Sequence, residues 1–127
     1  MSVTFSKNER LCSQLLIDEL FSTGDTFMAF PYSVRFRLYE ADRLPSEAQV
    51  LIAVSKRRFH HAVDRNRVKR LTRECYRLRK TPLYDSLQQH GKTMTISLNY
   101  VYDKIMDYDQ LSKRMDKVIA TLIEKTN

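Results

Sequence analysis

The chain has 127 residues, with 22 Lys and Arg against 15 Asp and Glu, and a net charge of +7. This length fits a single domain with one hydrophobic core, which we predict to span residues 1–127. Two Gly and three Pro in the whole sequence exclude a flexible linker or a low-complexity tract. No apolar run approaches the roughly 18 residues of a membrane span, and the N-terminus lacks the apolar region of a signal peptide. We therefore expect a basic protein of the cytoplasm with no membrane segment.

The first half of the chain predicts one helix and two strands. Ser6 followed by Glu9 has the spacing of a capping box, which predicts a helix from Ser6 to about Phe21. Residues 32–39 alternate between apolar and polar side chains, as in a strand with one polar face. Residues 49–55 are almost continuously apolar and predict a strand that is buried on both faces. A turn between these two strands would make them a hairpin.

The second half predicts a long helix, a strand and a final helix. A helix over residues 62–80 ends near Pro82, because proline lacks the amide donor and disfavours helix in the residue before it. Residues 83–91 form a second short helix or a loop, and residues 93–101 alternate as a third strand. The last helix begins near Asp107. The resulting order, α-β-β-α-β-α, predicts an α/β (α+β) two-layer sandwich of a small mixed sheet and helices.

Half of the cationic charge lies in one segment. Eleven of the 22 Lys and Arg fall between Lys56 and Lys80, against two acidic residues, Asp64 and Glu74. This segment carries a net charge of +9 and the rest of the chain −2. A solvated helix face normally interleaves both signs of charge. The composition therefore favours nucleic acid as the partner over an anionic membrane surface or an acidic protein.

The helix over residues 62–80 separates an apolar side from a cationic side. At 100° per residue, the apolar side spans an arc of about 80° and the cationic side about 140°. The apolar positions are Val68, Leu71, Cys75 and Leu78. The cationic side holds Arg65, Asn66, Lys69, Arg70, Arg73 and Arg77. Because like charges at i and i+4 repel by roughly 0.2–0.5 kcal/mol per pair, a polyanion laid along this side would stabilise the helix.

Catalytic chemistry and metal ligands are not visible in the sequence. A nuclease would need clustered carboxylates for a metal, or a histidine acting as acid or base. The acidic residues are spread singly, and His60 and His61 are adjacent side chains that would diverge. Cys12 and Cys75, both on presumed apolar sides of helices, are predicted to be reduced core residues and neither a disulfide nor a metal pair. The residues therefore predict binding without a protein active site.

The segment over residues 53–77, AVSKRRFHHAVDRNRVKRLTRECYR, resembles the signature of the protein subunit of bacterial ribonuclease P. The family's Arg-Asn-Arg core appears as Arg65-Asn66-Arg67 and is followed by Lys69-Arg70. The resemblance extends over essentially the whole chain from about Phe5. It implies the family's fold, with a left-handed crossover between parallel strands, whereas general stereochemistry favours a right-handed one.

The resemblance implies that the chemistry belongs to an RNA. In this family the RNA subunit, with Mg²⁺, removes the 5′ leader of precursor tRNA, and the protein binds both RNAs as a monomer within the ribonucleoprotein. No cofactor is expected on the protein itself, and neither DNA nor a membrane is an expected partner. The family's contacts to the catalytic RNA match Lys56, Arg57, Arg65, Asn66, Arg67, Lys69 and Arg70. Arg58 and Arg73 join them on charge and position alone.

The resemblance also implies a cleft for the leader, between the first helix and the open face of the sheet. The matching residues are Ile17, Phe21, Arg35, Phe36 and Arg37. Exposed aromatic rings there would stack on unpaired bases without reading their sequence. For Phe36 the alternative is a place in the core, which equal effects of Phe36→Ala on precursor and mature tRNA would indicate. Ile17 stands where the family usually has a second aromatic residue, one helical turn before Phe21.

Three other functions could use the same residues. A structural RNA-binding protein of the ribosome, or an RNA chaperone, would need the basic helix but no aromatic cleft. A DNA-binding module is disfavoured, because no second helix stands a short turn before the basic one as a helix-turn-helix requires. A stand-alone nuclease would have to use His60, His61 or one of the scattered acids.

Overall fold

The computed structural model describes residues 4–126, which contain four strands and four α-helices. The helices are α1 (Gln14–Thr23), α2 (Ala62–Arg79), α3 (Thr81–Gln89) and α4 (Tyr108–Thr126). The strands are β1 (Asp25–Ala29), β2 (Tyr32–Glu40), β3 (Ala48–Val54) and β4 (Lys92–Tyr100). A 3-10 turn, Lys7–Glu9, precedes α1. Residues 1–3 and 127 of the predicted domain lie outside the described residues.

The strands form one mixed sheet in the order β1-β2-β4-β3. β4 pairs antiparallel with β2 and parallel with β3, and β1 pairs antiparallel with β2. The predicted hairpin between residues 32–39 and 49–55 is therefore wrong, because β4 lies between β2 and β3. Consecutive strands usually lie side by side, but here the connection over residues 41–47 carries β3 to the far edge of the sheet. A crossover through α2 and α3 joins the parallel pair β3 and β4.

The hairpin of this sheet is formed by β1 and β2, and β1 is missing from the sequence prediction. Three of its five residues are exposed, so the strand lacks a clear alternation of buried apolar side chains. Its half-buried Phe27 packs against Phe36 of β2, with ring centroids 6.0 Å apart. A short edge strand of this kind gives a weak sequence signal.

The helices cover the two faces of the sheet unequally. α2, α3 and α4 pack on one face, where the core contains side chains from all four strands. α1 packs on the opposite face, against β2 and β4, and its Leu20 is completely buried. The predicted α+β class with a small mixed sheet is confirmed, and α1 adds a partial layer on the second face. Among the described helices none combines the length and apolarity of a membrane span.

The first predicted helix begins later than expected. The capping-box spacing is realised, since the Ser6 amide donates to Glu9 Oε2 at 2.6 Å, but it spans only the 3-10 turn. The chain then runs extended beside β3, where the Leu11 amide donates to the Val50 carbonyl at 3.0 Å. α1 begins only after Ser13, whose Oγ accepts a hydrogen bond from the Leu16 amide in the first turn of the helix.

The apolar run of β3 does not mark a central strand. β3 lies at the edge of the sheet, and its Leu51, Ile52 and Ala53 are only half-buried. The central strand is β4, in which Thr95 and Ser97 are completely buried on the face that α1 covers. The prediction that residues 49–55 are buried on both faces is therefore wrong, and the more polar sequence occupies the more buried position.

α2 packs with a slightly different face from the predicted one. Val68 and Cys75 are buried as expected, but Leu78 is 48% exposed and Thr72 and Tyr76 are buried in its place. The Thr72 hydroxyl lies 2.8 Å from the hydroxyl of Tyr32 in β2. Burial raises the pKa of Tyr32 well above its ordinary value, so this hydrogen bond joins two neutral groups and ties α2 to the sheet.

Only one of the two thiols is expected to react quickly with a thiol reagent. Cys12 is exposed, contrary to the predicted core position, because it precedes α1, whereas Cys75 is buried as expected. Burial raises the pKa of the Cys75 thiol above its ordinary value, so it remains protonated and unreactive at neutral pH. Native protein should show one fast equivalent of labelling and a second only after unfolding. A fast phase that persists in Cys12→Ser would contradict the burial of Cys75.

Candidate nucleic-acid interface

The predicted RNA-contacting residues lie together on the loop that follows β3 and on the N-terminal two thirds of α2. We call these side chains the basic surface. They are Lys56, Arg57, Arg58, Arg65, Asn66, Arg67, Lys69, Arg70 and Arg73. Six of them are exposed, and Arg65, Lys69 and Arg73 are half-buried along the margin where α2 meets the rest of the protein. The 3.6-residue period of α2 places this surface opposite its buried side.

The cations of the basic surface differ from those at the C-terminal end of α2 in their partners. Within residues 4–126, most cations of the basic surface have no ion pair or side-chain hydrogen bond. These are Lys56, Arg57, Arg67, Lys69, Arg70 and Arg73. By contrast, Arg77 pairs with Glu74, and Arg79 Nε lies 2.8 Å from Asp116 Oδ1. The charge that remains available to an anion is therefore concentrated at the N-terminal part of α2, and the expected RNA contact of this surface stays a prediction.

Arg65 and Phe59 hold the loop that carries the first three cations. Arg65 Nη1 donates to the carbonyl oxygens of Phe59 at 2.8 Å and His60 at 3.0 Å. The buried Phe59 ring packs against Tyr100 of β4, with centroids 6.1 Å apart. Arg65 is thus a structural support for the loop as well as a predicted RNA contact, and part of its hydrogen-bonding capacity is already used.

Arg58 is the one cation of this loop with an acidic partner in the described part of the chain. Its Nη1 lies 3.1 Å from Asp103 Oδ1, and the Asp103 side chain is 79% exposed. An exposed pair of this kind contributes only about 0–1 kcal/mol. A phosphate could therefore displace Asp103 at little cost.

The predicted leader residues Phe21, Arg35 and Arg37 are brought together where α1 crosses β2. Arg35 Nη1 donates to the Phe21 carbonyl oxygen at 3.1 Å, and its guanidinium lies 5.2 Å from the centroid of the Phe21 ring. Arg37 donates to the Thr23 hydroxyl at the end of α1. The Phe21 ring is 41% exposed, and Ile17, one turn earlier, is half-buried. We call Ile17, Phe21, Arg35 and Arg37 the α1–β2 surface.

The expectation of an exposed ring at Phe36 is wrong. Phe36 is 4% exposed and belongs to the core beneath α2, α3 and α4. The period of two in a strand places Phe36 on the face opposite Arg35 and Arg37. Its side chain therefore cannot join the other members of the α1–β2 surface.

Tyr39 lies on the same face as this surface and is absent from the predicted site. The guanidinium of Arg37 lies 5.1 Å from the Tyr39 ring centroid, and the Tyr39 hydroxyl donates to the carboxylate of Glu19 in α1. Partial burial, together with that carboxylate, raises the pKa of Tyr39. Alternation in β2 already placed Tyr39 on the polar face, and that signal could have identified it.

Two grooves at opposite ends of the sheet differ in their chemistry. A groove of about 510 Å³ runs from the open sheet face at Ser33 and Asn99 to Arg57 and Arg58, and so joins the sheet to the basic surface. Another, of about 530 Å³, lies at the opposite end of the sheet and is lined by the carboxylates Glu9, Asp42 and Glu47 together with one lysine, Lys92. A polyanion fits the first groove and is repelled by most of the charge in the second. No three His, Cys, Asp or Glu side chains within residues 4–126 come together as metal ligands.

Comparison with known proteins identifies the family of this chain. A family model described as Ribonuclease P matches residues 5–122. The ribonuclease P protein component of Porphyromonas gingivalis is 40% identical over 117 residues, which cover 92% of this chain and 85% of that protein. The component from Chlorobaculum tepidum is 41% identical over 75 residues, covering 56% of this chain and 47% of that one.

Two solved structures share the fold. The ribonuclease P protein of Staphylococcus aureus superposes with a TM-score of 0.65 at 18% identity and covers 95% of this chain and 100% of that one. The protein from Thermotoga maritima gives a TM-score of 0.60 at 17% identity, covering 89% and 96%. At these identities the structural likeness supports the fold alone.

The fold and the basic surface are those of a small α+β protein with one strongly cationic face. Because the family model spans nearly the whole sequence and a 40% identical relative covers 92% of it, the chain belongs to the ribonuclease P protein family. It is the non-catalytic protein subunit of an RNA–protein endoribonuclease for tRNA 5′ processing, and its partner is the ribonuclease P RNA. A ribosomal protein or an RNA chaperone, the alternative left open by the sequence, is not supported.

Proposed function

We propose that the basic surface contacts the ribonuclease P RNA, while the α1–β2 surface holds the 5′ leader of precursor tRNA. The observation that carries this proposal is the distribution of partners along α2. Its N-terminal cations lack acidic partners within residues 4–126, whereas Arg77 and Arg79 are neutralised. Such a surface offsets phosphate repulsion when two polyanions approach one another.

The leader contact is supported by the geometry of Phe21 and Arg35. A partly exposed ring with a guanidinium beside it provides both a stacking surface and a charge for the flanking phosphate. Stacking tolerates any base, which suits leaders of varied sequence. In this proposal Mg²⁺ is held by the RNA, and the protein acts as a monomer within the ribonucleoprotein of the cytoplasm and has no DNA partner.

The direct test is cleavage of a 5′-extended precursor tRNA at low Mg²⁺ concentration. Three reactions are compared: the protein alone, a bacterial ribonuclease P RNA alone, and the two together. We expect efficient cleavage at the mature 5′ end only in the mixture. Cleavage by the protein alone would mean that it has its own active site, and no gain in the mixture would mean that the basic surface serves another RNA.

The Arg70→Ala variant is expected to bind ribonuclease P RNA about 1–3 kcal/mol more weakly, because Arg70 is exposed and free to form a bidentate phosphate contact. The dependence of log K on log salt should fall by roughly one unit, as for the loss of one phosphate contact. Filter binding at several salt concentrations measures both quantities. Arg114→Ala removes one exposed Arg from α4 and is the matched control. Equal affinities of the two variants would exclude Arg70 from the interface.

A further inference from the structure

Two aromatic side chains at one end of the sheet have no part in the proposed function. Phe30 lies in the connection between β1 and β2 and is 42% exposed. Tyr102 follows β4 and is half-buried. Their ring centroids are 5.1 Å apart and their planes meet at 61°, an edge-to-face arrangement. We call these two residues the aromatic edge.

Tyr102 packs against the core, whereas Phe30 does not and is held beside it by the backbone. The Val101 amide donates to the Pro31 carbonyl oxygen at 2.7 Å, which fixes the segment after β4 against the β1–β2 connection. Phe30 is outside the core cluster, whereas its neighbours Ala29 and Tyr32 are inside it. An edge-to-face pair leaves ring faces that a third flat group can cover.

Cationic groups line the groove next to the segment that carries Tyr102. Tyr102 precedes Asp103, whose carboxylate is 3.1 Å from Arg58 Nη1. Arg57 and Arg58 line the 510 Å³ groove together with Val101. Asp103 already pairs with Arg58, so the cation most available there is Arg57, which has no side-chain partner within residues 4–126. Aromatic rings next to such a cation are the components of a single-stranded nucleic-acid site.

The separation from the α1–β2 surface suits one continuous strand of RNA. At about 3.4 Å per residue along β2, Pro31 lies roughly 13 Å from Arg35. This span corresponds to about four nucleotides of a stacked strand. Ser33 lies between the two on the same face of the sheet as Arg35, and it also lines the groove.

We propose that Phe30 and Tyr102 form a second base-stacking site for single-stranded RNA, with Arg57 holding the adjacent phosphate. The site extends the path of the leader from Phe21 along the open face of the sheet to its far end. This inference rests on the proposed function, because it takes the leader as the strand that is bound. It predicts that the contact depends on leader length and is absent from mature tRNA.

The test measures the affinity of the protein assembled with a bacterial ribonuclease P RNA for precursor tRNAs with leaders of two to ten nucleotides. Phe30→Ala should bind the long-leader substrates about tenfold more weakly than wild type, as expected for one lost stacking contact. It should bind the two-nucleotide leader and mature tRNA normally. Tyr102→Phe should retain wild-type affinity, because it keeps the ring.

Leu78→Ala is the matched control, since Leu78 is exposed to a similar degree at 48% on a different surface. Thermal melting of each variant establishes that it is folded. If the affinity of wild type rises with leader length and that of Phe30→Ala rises equally, the aromatic edge does not bind the leader. The proposed leader contact of the α1–β2 surface then stands. If wild type shows no dependence on leader length, both proposals fail. An equal loss for mature tRNA would place the aromatic edge against another part of the RNA.

Discussion

The Lys80→Met variant is expected to lose about 3–5 kcal/mol of unfolding free energy, because the change leaves a buried carboxylate without its cationic partner. Lys80 Nζ contacts the carboxylate of Glu9 and the carbonyl oxygen of Thr4. The two charged side chains are only 8% and 7% exposed. The pair fastens the segment before α1 to the junction of α2 and α3. A loss of this size is a large part of the 5–15 kcal/mol that typical domains possess.

Chemical denaturation of wild type and Lys80→Met measures this difference. The control is the double variant Glu9→Leu/Lys80→Met, in which both charges are replaced by apolar groups. Replacing both members of a buried pair is often close to neutral, so the double variant should be more stable than Lys80→Met. A double variant less stable than the single one would show that Glu9 stabilises the fold without Lys80.

The Phe36→Ala variant is expected to lose about 3–5 kcal/mol of unfolding free energy, as large-to-small changes of buried aromatic residues do. Phe36 packs in the core against Phe27, and the shortened side chain would leave a cavity there. Where the variant remains folded, its binding of precursor and mature tRNA should change equally. Equilibrium unfolding in urea gives the first quantity, and binding to the assembled ribonucleoprotein gives the second.

Phe21→Ala is the matched comparison for this experiment. The Phe21 ring is 41% exposed, so its removal should cost much less stability than that of Phe36. Its effect should appear in the affinity for precursor tRNA. The burial of Phe36 would be contradicted by the opposite pattern, in which Phe36→Ala folds with normal stability and loses affinity only for precursor tRNA.

The sequence alone was sufficient to predict those elements whose residues follow one strong periodic pattern. The charge and 3.6-residue period over residues 62–80 predicted α2 and its basic side, because both properties follow from spacing along a single helix. The alternation in β2 correctly separated Phe36 from Arg35 and Arg37. The family resemblance placed Phe36 in the leader cleft, whereas this alternation put it on the opposite face, with Val34 and Leu38.

Strand order was not predictable from the same information. Alternation and hydrophobicity indicate which side chains of a strand lie on its buried face and which on its solvent face. They do not indicate which strand lies beside it. The apolar residues of β3 suggested a central position, yet the Thr and Ser of β4 are buried there because α1 covers them. Contacts between distant segments decide this order. The ion pair of Lys80 and Glu9 was likewise not predictable, because the two residues are 71 positions apart in sequence.

The position of β4 at the centre of the sheet has a consequence for folding during synthesis. β2 and β3 both pair with residues 92–100 and not with each other. Until those residues leave the ribosome, the emerging chain has two strands without a common neighbour and a basic α2 without a sheet to pack on. Such non-local pairing slows folding. The cationic segment is therefore accessible to cellular polyanions before the four-stranded sheet can form. RNA can then bind this protein while its chain is still being synthesised.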